Sequence, residues 1–115
     1  MDEYVIAVII LNILITLILV LFFFFRPKII NPIIGYRTKR SMKNQSNWDF
    51  AQLNFTRNWI LLLPVMYVTK ILLWIGQVPY SFFGYLVLLE FLSGTLALVF
   101  FVEGKLKRKE KMESI

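Results

Sequence analysis

The sequence predicts an all-α integral membrane protein, with three transmembrane helices and an amphipathic helix between the first and second. Three observations carry that reading. The 115 residues are 58% hydrophobic and only 17% charged, with a mean hydropathy of +0.68; soluble domains run at roughly 45–50% apolar and about 25% charged. The apolar residues gather into three runs, each close to the ~20 residues that cross a bilayer core of about 30 Å. Lys and Arg keep almost entirely to two segments, 26–58 and 103–115. Three such runs in so short a chain leave too little polar surface to cover them as a soluble core. A single membrane domain over 1–115 is therefore expected.

The first span is expected over about 4–25. Only Asn12 and Thr16 interrupt it, and at ~1.5 Å per residue it reaches roughly 33 Å. It reads as a retained helix rather than a cleaved signal peptide. Asp2 and Glu3 stand where a basic n-region would be, and Phe-Phe-Phe-Phe-Arg-Pro-Lys stands where a small-residue cleavage site would be. Pro27 and Pro32 then stop the helix, and Asn31-Pro32 with Gly35 marks a turn-rich stretch. Trp48, Ala51, Phe55 and Trp59 recur at spacings of three and four, the apolar face of a helix, with Gln52, Asn54, Arg57 and Asn58 assigned to other faces. Ser46 or Asn47 is the expected cap, Asp49 belongs in the first turn, and Trp48 and Trp59 are expected interfacial anchors.

The second span, about 59–78, contains Pro64, which is expected to kink the helix if it runs on from the amphipathic one. Gln77-Val78-Pro79-Tyr80-Ser81 makes a tight turn into the third span, about 82–102, so the last two spans form an antiparallel hairpin. The tail, 103–115, is expected to extend the third helix briefly and then fray.

Orientation follows from the basic residues. The N-terminus and the hairpin turn carry none, so the positive-inside rule places 26–58 and the tail in the cytoplasm and the N-terminus outside. Three spans require opposite sides for the two termini, which agrees. The expected location is the cell membrane, next to anionic inner-leaflet headgroups.

Polar residues inside the spans are the next signal. Lys70 and Glu90 lie equidistant from residue 80 in the turn, hence at one depth, and Asn12 lies at a matching depth on the first span. A charge in the bilayer core costs at least about 2.5–3.5 kcal/mol on insertion scales, so a Lys70–Glu90 pair is expected, with Asn12 as a candidate hydrogen-bond partner. The layer reads either as a device for register and helix association or as a polar site for a ligand or proton. Ser93 and Ala97, with Gly94 beside them, offer a small-residue surface near Glu90 for close helix approach, and a homo-oligomer is among the expected partners.

The absence of Cys and His removes disulfides, thiol nucleophiles, the usual zinc and haem ligands and the commonest general base. Asp49 is the one acid of the 26–58 segment, and no nucleophile–base constellation exists. The expectation is a non-enzymatic protein without metal or cofactor. Nucleic-acid binding, the quick inference from a net charge of +6, is rejected: the basic residues flank spans and no reader motif is present.

One stretch stands apart: Asn31-Pro32-Ile33-Ile34-Gly35-Tyr36-Arg37-Thr38-Lys39-Arg40-Ser41-Met42-Lys43-Asn44, followed by Trp48 and Ala51. Chemically, Gly35 allows a tight turn, Tyr36 suits an interface, and Arg37 offers a planar five-donor fork for phosphate or carboxylate. Thr38 and Ser41 can hydrogen-bond backbone or an anion. The basic residues also read as topology determinants alone, and Arg37 alternatively as internal glue to Asp49. The pattern G-[YI]-R-T, then [ST]-M-K-N, then W and A, between a first and a second span, resembles the SdpI family of bacterial membrane proteins. The resemblance covers the motif and the three-span layout; the family's namesake is longer, with additional spans. It implies a role in immunity against a secreted, membrane-active peptide toxin and in signalling. The implied partners are that peptide or a cytoplasmic regulatory protein, with Asn31, Gly35, Tyr36, Arg37, Thr38, Ser41, Asn44 and Trp48 as candidate binding residues. The alternative is an oligomeric transporter or channel subunit that uses Asn12, Lys70 and Glu90 as a polar pathway.

Overall fold

The computed structural model describes residues 3–114, so Asp2 of the expected acidic N-terminus lies outside the described residues. Among them, all regular structure is helical: α1 (Glu3–Phe24), α2 (Gln45–Trp59), α3 (Leu62–Ile75) and α4 (Phe83–Glu113), with one 3₁₀ turn at Tyr80–Phe82 leading into α4. Three stretches are long and apolar enough to cross a membrane: Glu3–Phe24, Gln45–Ile75 and Tyr80–Glu113. The molecule measures 57 × 23 × 19 Å, so its long axis exceeds the ~30 Å of a hydrocarbon core and its basic end projects beyond it.

α4 is the spine, and α1, α2 and α3 all pack on it. Of α1 only Ile15 and Leu19 are buried, while Ile9, Ile10, Ile13, Leu14 and Leu17 face outward. α3 and α4 expose apolar side chains in the same way, among them Ile71, Leu72, Leu89, Leu92 and Phe100. A continuous outward apolar surface of this kind is stable only in lipid or against another apolar body.

α2 and α3 form almost one helix, broken at Ile60 and Leu61. The break is the work of Pro64, which has no N–H to offer the Ile60 carbonyl and whose ring crowds it. The chain answers with tighter bonds there: Leu61 N–H donates to Asn58 O at 3.1 Å and Leu63 N–H to Ile60 O at 3.1 Å. α3 ends in a Schellman motif. Val78 N–H donates to Leu73 O and Gln77 N–H to Trp74 O, with Gln77 at φ 57° in the left-handed position that Gly more often fills.

Five local expectations need correction. The cap of α2 is Asn44, whose side chain accepts from Asn47 N–H at 2.8 Å, so Ser46 and Asn47 do not cap it. Asp49 lies past the first turn and accepts from Gln45 Nε2. Gln52, assigned to another face, is instead buried: the buried face of α2 mixes Trp48, Ala51, Phe55 and Trp59 with Asn47, Gln52 and Thr56, and it packs on α4 and α1. Trp48 is fully buried and Trp59 nearly so, so neither is an interfacial anchor. The tail does not fray after Val102. α4 runs on to Glu113 because Leu106 is buried and Lys109 reaches Ser46 Oγ at 2.8 Å and Asn47 Oδ1 at 3.0 Å.

Within the spans, Lys70 Nζ donates to Glu90 Oε1, and Thr69 Oγ1 donates to Glu90 Oε2 at 2.8 Å. The pair joins α3 to α4 with both side chains largely buried. One turn along α4, a Cβ on Gly94 would sit 2.6 Å from Leu62 Cδ2, so this glycine lets α3 approach on the same face as the acid. Ser93 and Ala97 are exposed. Asn12 donates to Val8 O within its own helix at 2.8 Å and not to the pair. Thr16 and Tyr67 instead join α1 to α3, with their hydroxyls 2.7 Å apart.

Glu90→Leu should strand the Lys70 ammonium and lower stability by about 2–3 kcal/mol. The double change Lys70→Met with Glu90→Leu should recover most of that loss, since an apolar pair needs no partner. Reversible SDS unfolding of the detergent-solubilised protein reads both. A double variant no more stable than Glu90→Leu alone would contradict the pairing account.

Candidate functional site

The site is built where the 26–44 segment folds against α2 and α4. Asn31 starts it: its Oδ1 accepts from Ile33 N–H at 3.0 Å and Ile34 N–H at 2.7 Å, an Asx turn that reverses the chain after Pro32. Gly35 follows at φ +107°, and a Cβ there would meet Gln52 Oε1 and Pro27 Cγ, each at 2.8 Å. Both the backbone angle and the close approach demand glycine.

Tyr36 is the centre. Its N–H donates to Gln52 Oε1 at 2.9 Å, and its carbonyl accepts from Gln52 Nε2 at 2.7 Å, so one side-chain amide pairs both sides of a buried residue. Its phenol lies 2.8 Å from Glu103 Oε1 and 3.1 Å from Val99 O, which ties the segment to α4. Burial foremost, then the Glu103 carboxylate as hydrogen-bond partner and as charge, push this phenol well above the ordinary tyrosine range. It therefore stays a donor at any physiological pH. The ring packs on Phe55, which packs on Trp59, and Trp59 meets Phe22 of α1 and Phe91 of α4.

Thr38 and Ser41 close a small turn, with Thr38 N–H donating to Ser41 Oγ at 2.8 Å and Ser41 N–H to Thr38 Oγ1 at 3.2 Å. Ser41 is fully buried, and its hydroxyl lies 3.1 Å from Tyr36 O. Asn44 is spent on capping α2. Trp48 Nε1 donates to Pro27 O at 2.9 Å and pins the start of the segment. Among the described residues no buried side-chain nitrogen or oxygen lacks a partner.

The side chains of Arg37, Lys39 and Lys43 are different: all three are exposed and have no hydrogen bond or ion pair among the described residues, and Arg37 does not pair with Asp49. Arg37 lines a cavity of about 430 Å³. Lys39, Arg40 and Lys43 line a separate cleft of about 640 Å³ that also contains Glu103 and Glu110. Arg40 bridges the two carboxylates at 3.6 Å each, long and partly exposed contacts that orient more than they stabilise. The intramembrane layer borders another cavity: Asn12, Tyr67 and Lys70 line a cleft of about 420 Å³ between α1 and α3. No three acidic side chains gather as a metal site would need among the described residues.

Sequence reasoning missed Gln52, Glu103 and Glu110. Gln52 had a readable signal. It shares a face with Trp48, Phe55 and Trp59 at spacings of four, three and four, and a lone amide on an apolar stripe needs a buried partner.

Gly35→Ala should destabilise the fold by about 1–3 kcal/mol through backbone strain and displacement of Gln52. Gly104→Ala, where a Cβ meets nothing within 4 Å, should be neutral or stabilising by up to ~1 kcal/mol. SDS unfolding midpoints distinguish the two, and equal effects would contradict the packing described for Gly35.

A family profile described as the SdpI/YfhL protein family matches residues 28–103. The comparisons with curated proteins and with solved structures found no match. The matched stretch runs from the start of the folded segment, through α2 and α3, to the Glu103 that receives Tyr36. On that span and on its three membrane-length apolar helices, the chain is a multi-pass membrane protein that belongs to the SdpI/YfhL family.

Proposed function

We propose that this protein is a non-enzymatic immunity or signalling protein, which protects the membrane against a membrane-active peptide or relays its presence to a cytoplasmic regulatory protein. The observation that carries the reading is the family match over 28–103. It coincides with the unit in which the 26–44 segment is locked onto α2 and α4 while Arg37 stays exposed. A loop that satisfies its own backbone and buried polar groups while Arg37 and other cations stay exposed is suited to recognition. The mutual pairing of Lys70 and Glu90 supports a structural role for that layer rather than a conduction path.

In this reading the basic end faces the cytoplasm and the N-terminus faces outward. The positive-inside rule supports that orientation, since Lys and Arg are absent from the opposite end.

Two measurements test the proposal. Expression in a strain sensitive to a membrane-active peptide toxin should raise survival, and Gly35→Ala should abolish the protection at equal membrane abundance. Survival equal to an empty-vector control for wild type would refute the immunity role. The chain has no Cys, so single cysteines report cleanly. Tyr4→Cys should react with an impermeant maleimide in intact cells, and Lys111→Cys only after permeabilisation; the reverse pattern would invert the orientation.

A further inference from the structure

The cavity beside Arg37 differs from the two neighbouring basic clefts, at Lys39, Arg40 and Lys43 and at Arg26 and Lys28. The cleft at Lys39, Arg40 and Lys43 carries Glu103 and Glu110, and the one at Arg26 and Lys28 carries Asp49; each supplies its own counter-charge. The Arg37 cavity has no acid in its wall. Phe22, Phe55, Trp59 and Val99 make its sides, Thr95 lies at its deep end, and Arg37 is the one charged residue that lines it. Thr95 comes seven residues before Val102, the last residue of the apolar run, which sets the deep end ~10 Å inside the membrane from that boundary. The volume of about 430 Å³ falls in the range of about 300–1,000 Å³ usual for small-ligand pockets.

We propose that this cavity binds one anionic phospholipid, with its phosphate on the Arg37 guanidinium and an acyl chain against the aromatic wall. The geometry matches that amphiphile in sequence from top to bottom. A planar five-donor cation sits at the depth of headgroups, where phosphate accepts paired hydrogen bonds. An apolar slot continues below it into the hydrocarbon layer. Thr38 also lines the cavity. The site has the same chemistry whichever leaflet it faces and does not rest on the immunity reading.

Trp59 lines the cavity and reports on it. Trp48 is fully buried elsewhere, and Trp74, 63% exposed to the surroundings, is removed as Trp74→Phe. This protein is reconstituted in phosphatidylcholine vesicles with a minor fraction of brominated phosphatidylglycerol or, separately, brominated phosphatidylcholine. Quenching of Trp59 should show the anionic lipid enriched about fivefold over its bulk fraction and the zwitterionic lipid not enriched. Arg37→Gln should remove the enrichment, as should Val99→Phe, which fills the slot and leaves Arg37 in place. Lys107→Gln, an equal change in charge outside the cavity, should keep it. No enrichment in the parent protein, or equal loss in Arg37→Gln and Lys107→Gln, would overturn the proposal. So would quenching that is relieved by a hydrophobic peptide with a free C-terminal carboxylate but not by excess unbrominated phosphatidylglycerol.

Discussion

The Gln52 side chain holds the Tyr36 peptide from both sides, accepting from its N–H and donating to its carbonyl at 2.9 and 2.7 Å. This pairing replaces water for two backbone groups at the edge of a bilayer, where an unpaired polar group is costly. Much else follows from it. Gln52 can reach only because Gly35 has no side chain in the way. With its backbone held, Tyr36 presents its phenol to Glu103 and Val99 of α4, and its carbonyl receives the Ser41 hydroxyl. A segment without regular secondary structure thereby becomes part of the core.

The same requirement of internal satisfaction explains the rest of the molecule. Asn12, Thr16, Thr56 and Ser93 each hydrogen-bond a carbonyl one turn back in their own helix, and Lys70 and Glu90 neutralise each other. α4 extends as far as Glu113 because its basic end is not a tail in solvent. Asn47 links Arg40 O to Glu110, and Lys109 closes on the start of α2. α4 thus binds the intramembrane pair at one end and the folded loop at the other, which couples them through a single helix.

Much of this was legible in the sequence where the signal is local or symmetric. The number of membrane-length helices follows from the apolar runs, a helix through Trp48, Ala51, Phe55 and Trp59 from spacing, and the Lys70–Glu90 pair from equal distance to a turn; the second membrane-length stretch, however, already begins at Gln45. What was not legible depends on partners far along the chain. Trp48 looked like an anchor because nothing nearby announces its bond to Pro27, twenty-one residues away. Asn44, Ser46 and Asn47 are all competent caps by chemistry, and the choice among them was made by Asn47 turning to Arg40 O and Glu110. The tail reads as a fraying end, whereas its Glu103 and Glu110 face Arg40 and the loop.

The central claim is that the motif is a folded element locked on its backbone by Gln52. Amide hydrogen exchange at Tyr36 in detergent micelles tests it most directly. The N–H is buried and bonded to Gln52 Oε1, so it should exchange as slowly as amides inside α2, and Gln52→Leu should accelerate it selectively. Exchange at the rate of an open loop in the unaltered protein would contradict the account.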